Sequence, residues 1–125
     1  MSGNQPPEVP DDSSTFRCSV SRRGDAVVLA VQDELDLLTV PEFGRTLTAV
    51  QAAATGPVVL DLTGVTFLDS SGINAIVLAG RAPEDASPRL RVVATGPTVL
   101  RTIQLAGAHE LLVLAPTVDE ALAMS

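Results

Sequence analysis

Aromatic side chains are scarce in this sequence of 125 residues: three phenylalanines, no tyrosine and no tryptophan. That scarcity speaks against single-stranded nucleic-acid binding, which stacks bases on aromatic rings. Lysine is missing altogether. The eight basic residues are all arginine and face fifteen acids, for a formal net charge of −7. An acidic chain with no basic stripe attracts neither phosphate backbones nor anionic lipid, so neither a nucleic acid nor a membrane is expected as a partner. The single cysteine, Cys18, excludes an intrachain disulfide and a cysteine-built metal framework. No apolar run approaches membrane-spanning length. The first fifteen residues show no basic region and no apolar stretch, so no secretory signal is read there and a cytoplasmic location is expected.

What the chain does hold is aliphatic. Apolar residues make up 46% of its 125 positions, enough for one domain with a core of Val, Leu, Ile and Ala. Residues 1–15 contain three prolines and three acids with little to bury, which reads as a disordered tail and leaves residues 16–124 as the domain. Phe16 to Val20 alternates weakly, as an edge strand does. Arg22 to Asp25 is a polar turn, and Ala26 to Val31 is an apolar run expected as a strand covered on both faces. The first two strands should pair as a hairpin. Thr39 and Glu42 form a capping box at the start of a helix, with Pro41 in its first turn and Val40, Phe43, Leu47, Val50 and Ala54 along one face.

Val58 to Leu62 is the next apolar strand. Asp69, Ser70, Ser71 and Gly72 offer N-caps to a second helix with Ile73, Ile76, Val77 and Gly80 inward, which Pro83 should end or bend. Leu90 to Ala94 reads as another buried strand. Gly96-Pro97 opens a third helix that stops at Gly107. Leu111 to Leu114 is a short last strand, and Thr117 with Glu120 forms a second capping box for a final helix through Leu122. The order β-β-α-β-α-β-α-β-α implies an α/β domain with a mixed, mostly parallel sheet of four to five strands and about four helices. Function in such folds collects at the carboxyl ends of the strands, here the loops 32–39 and 63–70.

Enzymatic signals are weak. The chain has no phosphate-binding GxxxxGK[ST] or GxGxxG motif and no GxSxG elbow. His109, the lone histidine, reads as an exposed loop residue. Asp33, Glu34, Asp36 and Asp69 fit a solvated acidic rim better than a hard-metal cluster. Cys18 reads as a small packing residue rather than a redox centre. No catalytic machinery, cofactor or metal is expected. Leu68-Asp69-Ser70-Ser71-Gly72 stands out. Its plain role is capping and close packing. A second role follows if Ser70 sits at a helix start with its hydroxyl outward, within reach of a kinase. A phosphate there would meet free helix amides and add about −1.5 to −2 charge beside Asp36 and Asp69.

Residues 16–124 resemble a STAS domain of the bacterial anti-sigma factor antagonist type. Glu34-Leu35-Asp36 with Thr39 is similar to that family's GELD…T segment. Val58-Val59-Leu60-Asp61-Leu62, followed by Val65-Thr66-Phe67-Leu68-Asp69-Ser70-Ser71-Gly72, resembles its core motif. Gly96 to Val99 and Leu105-Ala106-Gly107 resemble the borders of its third helix. The resemblance implies a protein that binds an anti-sigma factor with a histidine-kinase-like ATPase fold and so releases a sigma factor. It implies phosphorylation by that kinase at Ser70, with Ser71 the second choice, and reversal by a PP2C-type phosphatase. It also implies a docking edge of Asp33, Glu34, Asp36, Thr39, Asp69, Ser70, Ser71, Gly72 and Asn74. Asp33 replaces the family's glycine, Asn74 replaces a smaller residue, and Pro83 interrupts the second helix. A different reading makes the chain a non-switching structural STAS subunit of a lipid-transport ABC complex or a signalling scaffold.

Overall fold

Residues 16–81 and 90–124 are described by the structure, a computed structural model. The expected tail and Pro83 lie outside them. Five strands, β1 (Phe16–Arg23), β2 (Ala26–Leu35), β3 (Val58–Leu68), β4 (Leu90–Val93) and β5 (Val113–Ala115), alternate with helices α1 (Val40–Ala53), α2 (Ser70–Gly80), α3 (Pro97–Leu105) and α4 (Val118–Ala123). The sheet order is β1-β2-β3-β4-β5. β1 runs antiparallel to β2, and every later pairing is parallel. The architecture matches the expected α/β domain and the expected element order.

The hairpin forms as its polar turn predicts. Arg23 pairs with Ala26, leaving Gly24 and Asp25 to reverse the chain. Gly24 takes φ +67°, which costs a residue without Cβ nothing. Continuous apolar runs such as Val58-Val59-Leu60 arise because helices cover both sheet faces. Val58 and Leu60 turn to α1, α2 and α3, joining Leu29, Val31, Phe43, Leu47, Ile76, Val92 and Ile103 in the main core. Val59 turns the other way, with Val28, Val93 and Ala115, to meet Ala121 of α4. Each Val, Leu, Ile or Phe among them stabilises the fold by about 1.5–3 kcal/mol when fully buried. Arg91, also on the α4 face and only 8% exposed, donates to the Ala121 carbonyl at 2.9 Å, an acceptor it shares with the Met124 amide in the last turn of α4.

Several local expectations need correction. β2 and β3 run on to Leu35 and Leu68, so the loops at 32–39 and 63–70 shrink to 36–39 and a single residue, Asp69. Register shifts between Ala30 and Gln32 and between Asp33 and Glu34 let polar residues project while backbone pairing continues. At the sheet's other edge the last strand is Val113–Ala115, two residues later than expected, because a 3-10 turn occupies Ala108–Glu110. That turn carries exposed His109, whose Nε2 lies 3.8 Å from Glu110. Cys18 is exposed rather than packed, as is every residue of the edge strand β1 after Phe16. Burial of part of its thiol and the nearby Glu42 carboxylate raise its pKa, a hydrogen bond with Thr46 notwithstanding.

Candidate functional site

The carboxyl ends of β2 and β3 meet the N-termini of α1 and α2, and most of the singled-out residues gather there. Asp69 joins β3 to α2. Its backbone is extended (φ −106°, ψ −175°), as an N-cap requires, and Oδ1 accepts from the Ser71 and Gly72 amides at 2.9 and 3.1 Å. The same oxygen accepts from the Ser71 hydroxyl at 2.5 Å. Burial pushes this carboxyl's pKa up, but the hydrogen bonds from Ser71 and from the Gly72, Ser71 and Leu37 amides outweigh it and hold the pKa below the ordinary aspartate value. Ser71 is therefore occupied. Ser70, the first helical residue, is exposed, and its side chain enters no hydrogen bond among the described residues.

At the helix start the next three amides after that of Ser70 are already engaged, fewer free donors than expected. Those of Ser71 and Gly72 go to the Asp69 side chain, and that of Ile73 goes to the Asp69 carbonyl at 3.1 Å. An added phosphate on Ser70 would face a carboxylate that already holds the donors. Gly72 seats this junction. A Cβ there would come within 2.7 Å of Leu68 Cδ1 and 3.0 Å of the Leu35 carbonyl oxygen, so α2 approaches the strand ends as closely as it does only because the side chain is missing.

The β2–α1 junction is built differently from the expected capping box. Thr39 Oγ1 makes no cap bond to α1. It donates to the Glu34 carbonyl at 2.9 Å and accepts from the Asp36 amide at 3.0 Å, closing the loop backward onto β2. The capping falls to Asp36, whose Oδ1 accepts from the Leu38 and Thr39 amides at 2.9 and 3.1 Å. This Asx turn relieves Thr39 of the task. Asp33 adopts φ +77°, the left-handed conformation that a glycine would take without strain. Its carboxylate pairs with Arg17 at 3.0 Å, and its carbonyl accepts from Thr66 at 3.1 Å.

The acids therefore have separate duties: Asp33 binds Arg17, Asp36 the loop amides and Asp69 the helix amides. Among the described residues no group of three His, Cys, Asp or Glu side chains is placed to hold a metal. Glu34, Asp36, Asp69, Ser70 and Asn74 reach the surface of this edge to differing extents, whereas Thr39 and Gly72 are buried and shape it from beneath. Sequence reading missed three exposed apolar side chains at the same edge: Leu37 (75% exposed), Leu38 (69%) and Phe67 (46%). The available signal was that Leu37 and Leu38 fall outside the inward stripe of α1.

Residues 17–121 match the STAS domain family, and the chain belongs to that family. A Mycobacterium tuberculosis relative, provisionally named anti-anti-sigma factor Rv2638, is 28% identical over 117 residues, spanning 92% of this chain and 79% of its own length. The anti-sigma-B factor antagonist of Staphylococcus aureus is 27% identical over 82 residues, 66% of this chain and 76% of that protein. The crystal structure of an anti-sigma factor antagonist from Mycobacterium paratuberculosis superposes with a TM-score of 0.78 at 30% identity, covering 86% of this chain and 92% of that one. No helix among the described residues is long and apolar enough to cross a membrane.

Proposed function

We propose that this chain is an anti-sigma factor antagonist whose docking edge is switched by phosphorylation of Ser70. The observation that carries the reading is the contrast between two adjacent serines. Ser71 has its hydroxyl held by Asp69, while Ser70 presents a free hydroxyl to solvent at the first position of α2. Unphosphorylated, the edge formed by Glu34, Asp36, Asp69 and Ser70 binds an anti-sigma factor and the sigma factor is released.

That partner is a kinase of histidine-kinase-like ATPase fold. Ser70 Oγ attacks the γ-phosphorus of ATP, the bond to the bridging oxygen breaks, ADP leaves, and the hydroxyl proton passes to a base of the kinase. The new dianion finds the Ser71 and Gly72 amides already held by Asp69. It stands outward beside two carboxylates, and re-docking would have to desolvate all three charges. Binding is lost without a large change of shape. A PP2C-type phosphatase restores the docking form. The chain supplies no catalytic group. Incubation with the candidate kinase and ATP, followed by mass mapping of the peptides, tests the site. A single phosphoryl group on Ser70, absent from Ser70→Ala, is expected. Modification that persists in Ser70→Ala would assign the switch elsewhere.

A further inference from the structure

We infer that Leu37 and Leu38 form an apolar docking tip beside the switch serine, fitted to a protein face that carries an apolar socket bordered by arginine or lysine. The inference rests on the reading of this edge as the docking surface and names the chemistry of what docks. Two adjacent leucines with most of their surface in water are costly in a monomer, and here they sit on a short loop rather than on a helix stripe.

The loop is not free to fold them away. The Asp36 carboxylate fixes the Leu38 and Thr39 amides, the buried Thr39 hydroxyl ties the loop to the Glu34 carbonyl, and at the base of the loop the Leu35 carbonyl accepts from the Asp69 amide at 3.1 Å. The tip is thus tied on one side to β2 and on the other to the cap that precedes Ser70. A rigid tip loses little freedom on binding, so burial of its side chains converts efficiently into affinity. Phe67, three residues before Ser70 and in register with Glu34, adds a third apolar group at this edge.

Charge selects the occupant. Glu34, Asp36 and Asp69 surround the tip and enter no ion pair among the described residues, and nearby Arg17 is taken by Asp33. A second copy of this chain would bring the same carboxylates together, which is unfavourable. A partner with a basic border satisfies them while its socket takes the leucines.

The test uses the full chain and the anti-sigma factors of the same genome, purified one at a time and titrated calorimetrically. The pair Leu37→Ser/Leu38→Ser should weaken binding by roughly tenfold or more, mostly through faster dissociation. The control pair Leu105→Ser/Leu111→Ser removes two other exposed leucines outside this edge and should leave affinity unchanged. Raising salt should weaken the wild-type complex as the carboxylate contacts are screened. If Leu37→Ser/Leu38→Ser binds as wild type while Ser70→Asp fails to bind, the tip proposal falls and the switch stands. If Ser70→Asp binds as wild type and the leucine pair does not, the switch falls and the tip stands. Sedimentation of the chain alone should show a monomer. A dimer abolished by the leucine substitutions would overturn the proposal by identifying a second copy as the occupant.

Discussion

Four strand-to-helix junctions line the same edge of this sheet, and they divide into two pairs. The first pair, β2–α1 and β3–α2, is interlocked: Asp36, Thr39 and Asp69 each bind backbone amides or carbonyls, and Gly72 lets α2 press against Leu35 and Leu68. The second pair is plain. α3 starts at Gly96 with no side-chain cap, and α4 starts at Thr117 with one hydroxyl bond to the Glu120 amide at 3.0 Å. Both pairs begin helices on one sheet. Only the first couples its loops to each other, and it leaves the large apolar Leu37 and Leu38 outward beside its acids. A surface that docks a partner needs fixed geometry, and side-chain ties within each loop, with the Asp69 amide bonded to the Leu35 carbonyl between them, supply it.

The largest stability effects should separate the two pairs. Gly72→Ala forces a Cβ against the Leu35 carbonyl and should cost about 1–3 kcal/mol. Gly96→Ala enters open space at an ordinary backbone conformation and should stay within about 0.5 kcal/mol. Urea melts of both variants check this, and equal losses would dissolve the distinction.

Caps come next. Asp69→Ala should cost about 1–2 kcal/mol and Thr117→Ala about 0.5–1 kcal/mol, since one cap serves several donors and the other serves one. The Asp69 contribution also depends on pH. Its folded pKa lies below the unfolded value of about 3.9, so the stabilisation is complete above that pH and is lost as pH falls through the folded pKa. The stability gap between wild type and Asp69→Asn should therefore be widest near neutrality and shrink below about pH 4. No such dependence is expected for Thr117→Ala.

A further effect concerns backbone strain. Asp33 holds a left-handed conformation that glycine adopts freely, so Asp33→Gly should be more stable than Asp33→Ala by about 1 kcal/mol. Both variants lose the exposed ion pair to Arg17, which cancels in the comparison. Equal melting temperatures would show that Asp33 relaxes out of that conformation.

Much of this was legible in the sequence, for identifiable reasons. The apolar runs at Ala26 to Val31 and Val58 to Leu62 could be strands only if both faces were covered, and the element order followed. Asp69 was one of several possible caps, and the structure selects it because its extended backbone lets one carboxylate oxygen reach the Ser71 and Gly72 amides. The strand ends were hidden, because Gln32 to Glu34 and Thr63-Gly64 carry the composition of loops while bulges keep them paired. Thr39 also misled. A hydroxyl three residues before a glutamate fits a capping box, yet here the hydroxyl turns back to the Glu34 carbonyl and the Asp36 amide. The exposure of Leu37 and Leu38 was signalled only by their place outside the inward stripe of α1, a weak sign, since leucine at a helix border is ordinarily counted with the core.

On the proposed function, a single outward hydroxyl, that of Ser70, controls docking. Titrating Ser70→Ala and Ser70→Asp against the cognate anti-sigma kinase tests it most directly. Ser70→Ala should bind tightly in the presence of ATP and stay bound, and Ser70→Asp should bind weakly. Indistinguishable affinities for the two variants would contradict it.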